Sequence, residues 1–456
     1  MDYSLIVKGN AFYTSSRSQL EFLADSLFFI DFEGKIVNIS QPSDKEYSQQ
    51  LALAKQQKTF VELERGQYLI PGLVDLHIHA PQWPQAGRAL DKPLEDWLQT
   101  YTFPLEARFS DLDYATTVYE NLVSHLLANG TTTGLYFASI HKEASFRLAE
   151  ICAKKGQRGL VGKVVMDDPI MNPDFYRDAS TESALADTES FIQDVQALHK
   201  TTKQGVYPVV TPRFIPSCTD EALHGLGKLA KKYDVHIQSH CSESDWEHHY
   251  VKERFNQNDA HALHSFQLLG DKAVMAHCNH LAHEDALLFQ QTGTGIAHCP
   301  ISNAYFANAV LPLAEFANDY HLDIGLGTDI SGGFSPSLFE NIRQAVMASR
   351  YLDEGVDPKK TAAERGAKES KISMIQAFYH ATAGGGQALS LPIGKFEKNY
   401  AWDALVIDTQ DVGNPMPFFE SNIAPEEILE SLLYLLQATN IQKVWVQGEL
   451  VHQKGV

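Results

Sequence analysis

The 456-residue chain carries 37 basic and 57 acidic side chains, a net charge of −20 with no Lys/Arg-rich run to offset it. Nucleic acids and anionic membrane surfaces both demand clustered cations, so neither is an expected partner. With 44% apolar and 10% aromatic residues the chain can bury a large core, and its length allows about three domains at roughly 150 residues each, or one barrel with an appendage.

The N-terminal residues show no basic stretch ahead of an apolar core, and no apolar run approaches the ~18 residues that span a bilayer. Cys152, Cys218, Cys241, Cys278 and Cys299 are odd in number and contain no C-x-x-C pair. That spacing argues against a disulfide framework or a thiolate metal cluster and predicts a soluble, reduced, cytoplasmic protein.

In chain order, Ser4–Asn10 and Leu27–Asp31 read as strands, and Ala404–Asp408 and Lys443–Gly448 read the same way near the other end. The two ends are expected to pair in a small β-sandwich-like domain made of residues 1–70 and 390–456. Between them, over residues 71–389, eight apolar runs alternate with helical patterns: Leu73–His79, Thr132–Phe137, Leu160–Met166, Val206–Thr211, Val235–His240, Ala273–His277, Gly295–His298 and Asp323–Thr328. Thr219–Lys232 and Glu284–Gln291 carry helical periodicity between runs. This pattern predicts an α/β fold with a closed (β/α)8 barrel of TIM type, with an open α/β sheet as the alternative. Gly384-Gly385-Gly386 reads as a local turn or linker.

His77-Ile78-His79 ends the first run. Alternate residues of a strand share a face, so both imidazoles point the same way, and such a pair can begin a zinc site. Two structural histidines are the plainer alternative. Position favours chemistry, because barrels of this type place their reactive groups at the C-terminal strand ends. His240, His277 and Asp329 also follow strand-like runs. Each alone is more often a structural histidine or a helix cap, but together they would converge on one mouth. Glu243 follows His240 by three residues; it could move protons beside a metal, or simply favour a helix N-terminus. His248, His249, His261, His264 and His283 lie in helical or loop stretches and read as solvated or structural.

The segment Pro71–Gln82 (PGLVDLHIHAPQ) resembles the first-strand signature of the metal-dependent amidohydrolase superfamily. Ala80-Pro81-Gln82, Trp97–Phe109 (WLQTYTFPLEARF), Thr131–His141 (TTTGLYFASIH) and Pro212–Pro216 (PRFIP) resemble, more narrowly, its guanine deaminase family. That resemblance implies a zinc-dependent hydrolase acting on a C–N bond of a cyclic amidine, converting guanine to xanthine and ammonia in purine metabolism, and commonly a homodimer. It also implies one zinc per chain held by His77, His79, His240 and Asp329, with a water completing the site. The implied substrate contacts are Gln82, Trp83, Arg213, Phe214, Glu243 and His277, and the implied catalytic groups are Glu243, His277 and Asp329. His280 competes with His277 for its place. Val206–Thr211 lacks the Lys or Glu with which two-metal relatives bridge their ions, which favours a single metal.

On this reading Asp329 accepts the proton of the attacking water, His277 orients it, and Glu243 shuttles protons to the ring and the leaving amine. Arg213, a donor without an acceptor, suits the purine C6 carbonyl, and Phe214 suits the ring face. A deaminase of another purine, a pterin or an aminotriazine is the nearest alternative. A non-catalytic scaffold and a nucleic-acid binder are more distant ones.

Overall fold

Residues 3–307, 309–420 and 422–455 are described in the computed structural model. Eight parallel strands stand side by side in sequence order: Leu73–His79, Thr131–Phe137, Arg158–Gly162 (continued by Val164–Val165), Val206–Pro212, His236–Cys241, Ala273–His277, Gly295–His298 and Ile324–Leu326. The sheet closes on itself past its last strand. The Asp329 amide donates to the His77 carbonyl at 2.8 Å, and the His79 amide donates to the Ile330 carbonyl at 2.8 Å. The buried Asp75 carboxyl ties the same seam, accepting from the Thr328 amide at 2.9 Å and its Oγ1 at 2.6 Å. This closure distinguishes a barrel from the open sheet.

All eight expected runs become barrel strands. The third is interrupted at Lys163, whose buried ammonium bonds Asp178 at 2.7 Å. The strands are buried on both faces because helices cover them outside, so they read as near-continuous apolar runs. Leu112–Ala128 shows why such a helix forms where it does. Asp111 caps it by accepting from the amides of Asp113 and Tyr114, and Ala115, Tyr119, Leu122 and Leu126 form its buried stripe.

The chain ends form one sheet, ordered Glu449–Gln453, Ile441–Val446, Ala404–Asp408, Gln67–Pro71, Leu5–Ser16, Gln19–Ile30 and Ile36–Ser40, with Phe60–Glu62 also beside Leu5–Ser16. Ala404–Asp408 pairs antiparallel with Gln67–Pro71, which joins the two ends of the chain. Phe28, Phe396, Trp402 and Trp445 fill the core of this sheet.

Gly384-Gly385-Gly386 is not a linker. These residues lie in a buried helix, Ala383–Ala388, against the N-terminal ends of the barrel strands. A Cβ on Gly384 would lie 2.8 Å from the Ile324 carbonyl oxygen, and one on Gly386 would lie 2.5 Å from that of Ile393. The glycines let the helix approach the barrel backbone at Ile324 and the following segment at Ile393 closely, a need that a turn-biased reading of G-G-G does not register.

Candidate active site

Four strand ends bring imidazoles and a carboxyl to one mouth. His77 Nε2 lies 3.2 Å and His79 Nε2 3.6 Å from Asp329 Oδ1, and His79 Nε2 lies 3.0 Å from His240 Nε2. His277 and Asp329 take left-handed backbone conformations, with φ of 69° and 49°. Such conformations cost on the order of 1–3 kcal/mol and persist only where the surroundings impose them.

Neither ring nitrogen of His77, nor Nε2 of His277, has a hydrogen-bond partner among the described residues. His240 Nδ1 donates to the Arg213 carbonyl at 2.5 Å, which leaves its Nε2 lone pair facing the centre. Burial holds His77, His79 and His240 well below the usual imidazole range, and their crowding adds to the effect, so they are neutral. Three neutral imidazoles, one carboxyl and orphaned buried nitrogens together form a donor set that fits a divalent cation.

His277 belongs to a second arrangement beside this one. Its Nδ1 donates to Asn303 Oδ1 at 2.9 Å, Asn303 donates to Asn279 Oδ1 at 2.8 Å, and Asn279 donates to the Glu243 carbonyl at 3.0 Å. This relay fixes His277 and Glu243 relative to each other, with His277 Nε2 at 3.6 Å from Glu243 Oε1 and 4.0 Å from Asp329 Oδ2. Burial, reinforced by the charge of Asp329, pushes the Glu243 carboxyl up to about 8. His280 does not join the group; it stacks on His248 with centroids 5.7 Å apart, and its Nε2 is 4.0 Å from Asp245.

A cavity opens onto these groups. Gln82, Arg213 and Phe214 line it beside the imidazoles, and Leu94, Trp97, Leu98 and Phe306 supply apolar walls. Arg213 is buried and grips Glu106 through two bonds, Nη1 at 2.6 Å and Nη2 at 3.1 Å. Trp83 lies elsewhere. The tight turn Ala80–Gln85 aims Gln82 inward and Trp83 outward, where its Nε1 donates to Asn121 at 2.7 Å.

Sequence reasoning did not single out Glu106, Asn303, Asn279 or the apolar wall. Glu106 and Trp97 sit inside the Trp97–Phe109 block, so an apolar-flanked acid in that block was the available signal. Asn303 and Phe306 lie in a short helix, Asn303–Ala307, after the seventh strand, too brief to carry a periodic pattern.

The amidohydrolase family model matches residues 68–451. The guanine deaminase of Mus musculus is 38% identical over 461 residues, covering 98% of this chain and 96% of the relative. That of Homo sapiens is 38% identical over 457 residues, with coverages of 98% and 96%. Among solved structures, the guanine deaminase of C. acetobutylicum with guanine bound in its active site is 33% identical, with a TM-score of 0.86, covering 98% of this chain and 100% of that one.

Proposed function

Because this chain belongs to the amidohydrolase family, we propose that it hydrolyses guanine to xanthine and ammonia, as a step in purine metabolism. The observation that carries this reading is the meeting of Glu243, His277 and Asp329 in one cavity that also presents Gln82 and Arg213. His77, His79, His240 and Asp329 would hold one zinc ion per chain, which when bound supplies Lewis acidity and lowers the pKa of water to about 7.

The side chains account for the rest. Arg213 and Gln82 orient the purine edge, Phe214 packs on its ring, and Leu94, Trp97, Leu98 and Phe306 exclude bulk water. Glu243, with its carboxyl pushed up to about 8, carries a proton at neutral pH. It donates that proton to the ring nitrogen next to C2, which makes C2 electrophilic. As the water oxygen bonds to C2, Asp329 takes the water's proton, and His277 orients the attacking oxygen. Glu243 collects that proton and passes it to the amine, the C2–N bond breaks, and ammonia leaves. The proton of the new C2 hydroxyl restores Glu243 as xanthine forms. General acid–base assistance of this type contributes roughly 10²–10⁴ in rate.

A cytoplasmic location goes with this reading, supported by five free, buried cysteines. Among the described residues, no helix is long and apolar enough to cross a membrane. A substrate panel tests the function. Ammonia release from guanine should far exceed that from adenine, cytosine, 8-oxoguanine and a pterin. Faster release from one of the others would discard guanine as the substrate.

A further inference from the structure

Glu106 does not line the cavity, yet it touches two residues that do. It is fully buried, and its two oxygens accept three N–H groups: Arg213 Nη1 at 2.6 Å, Arg213 Nη2 at 3.1 Å and Gln82 Nε2 at 2.9 Å. A carboxylate is acceptor-only, so the Gln82 amide must face it nitrogen-first. The other end of that amide agrees, since its Oε1 accepts from the Ser331 amide at 3.2 Å. The guanidinium plane is held by the two-pronged grip and by the Phe103 ring, whose centroid is 5.1 Å away. Arg213 Nε has no hydrogen-bond partner among the described residues, and Nη2 gives only one of its hydrogens to Glu106. The Nε–Nη2 edge is therefore left to a ligand.

A parallel pair of N–H donors matches a purine's C6 carbonyl and N7, which are two acceptors side by side. A 6-amino purine would put a donor against that edge, and a purine bare at C6 would leave it unpaired in a buried site, which is how a site built for hydrogen bonding rejects analogues. This discrimination requires that the guanidinium cannot rotate away and that its charge is balanced once water has left. Glu106 meets both requirements. Building on the guanine reading, we infer that Glu106 is the positioning residue that sets specificity for 6-oxopurines, by locking Arg213 and Gln82 into one rigid recognition edge.

The test compares inhibition constants of hypoxanthine, which has the C6 carbonyl, and unsubstituted purine, which lacks it, in the metal-loaded protein and in Glu106→Gln. The substituted amide has a single oxygen for three donors, so at least one of them must face an N–H. Hypoxanthine should bind the unmodified protein at least 30-fold more tightly than purine, and Glu106→Gln should shrink that ratio to within about threefold while purine itself binds nearly as before. An equal weakening of both ligands would mark a merely structural role and overturn the inference. So would an unchanged ratio, or a lack of preference in the unmodified protein. Should Glu106→Gln not purify folded, Glu106→Asp carries the test. It keeps the charge but is one methylene too short to hold all three contacts, and the same contraction of the ratio is expected. Ammonia release from guanine by the unmodified protein tests the underlying function separately, because the inhibition ratio is read from binding of non-substrates.

Discussion

At the N-terminal end of the barrel strands, the buried guanidinium of Arg158 is bonded to Asp403, to Thr133 Oγ1 at 3.1 Å and to Gln447 Oε1 at 2.6 Å, while Asp403 also accepts from the Gln447 amide at 2.7 Å. At the C-terminal end, both ring nitrogens of His77 and Nε2 of His277 are buried with no partner among the described residues, and two site residues are in left-handed backbone. An unsatisfied buried polar group costs about 1–3 kcal/mol. One end of the barrel has thus satisfied its charges internally, while the other holds donors open for something the chain does not itself provide. The contrast separates two kinds of sensitivity. Substitutions at the mouth should alter turnover with little effect on folding, and substitutions at the floor should do the reverse.

The largest expected effect is at the mouth. Glu243→Gln keeps the shape of the side chain and removes its proton transfer, so turnover should fall roughly 10²–10⁴-fold, with metal content and melting temperature nearly unchanged. Steady-state ammonia release alongside elemental analysis checks this. Near-normal turnover would remove Glu243 as the shuttle, and loss of metal would place it among the ligands.

At the floor, Asp403→Ala leaves the Arg158 charge buried with only the neutral Thr133 and Gln447 side chains as partners. Breaking a buried pair from one side typically costs about 3–5 kcal/mol. Denaturant unfolding should show that loss, while KM for guanine and the metal content of the folded fraction stay as they were. A variant of full stability, or one with a shifted KM, would break the division between the two ends.

The same division explains what the sequence made legible. A strand fixes which residues share a face, so His77 and His79 could be paired from spacing, and the strand ends before His240, His277 and Asp329 could be counted. The eight apolar runs were readable because the barrel strands are buried on both faces. The recognition wall was not readable this way. Gln82 and Trp83 are adjacent, and only the geometry of the Ala80–Gln85 turn decides which faces the cavity. Resemblance, not spacing, pointed to Arg213, and Glu106 is an acid among apolar neighbours whose partner lies 107 positions away. The glycine helix was misread for a related reason. What G-G-G permits at Ala383–Ala388 is contact with a distant backbone, and no local pattern records that partner.

His380 offers the finest test of the division, because it is a floor residue that keeps one nitrogen unpaired. Its Nδ1 donates to the Ile324 carbonyl at 2.7 Å, while Nε2 is buried with no partner among the described residues. Burial therefore lowers the imidazole from 6.5 to about 4, even though the carbonyl favours the charged form. A folded-state value below the unfolded one means that the unfolded chain takes up the proton first as pH falls. The stability contribution is accordingly whole above pH 6.5, declines as pH drops from there to about 4, and is constant below. A shift of this size corresponds to about 3 kcal/mol. His380→Asn retains a donor for Ile324 but cannot titrate, so its unfolding free energy should fall less steeply than that of the unmodified protein across this window. Carboxyl groups elsewhere titrate alike in both proteins and cancel from the difference. Parallel curves would mean that His380 reaches water or a partner when charged, and that the floor is less sealed than its Arg158–Asp403 pair implies.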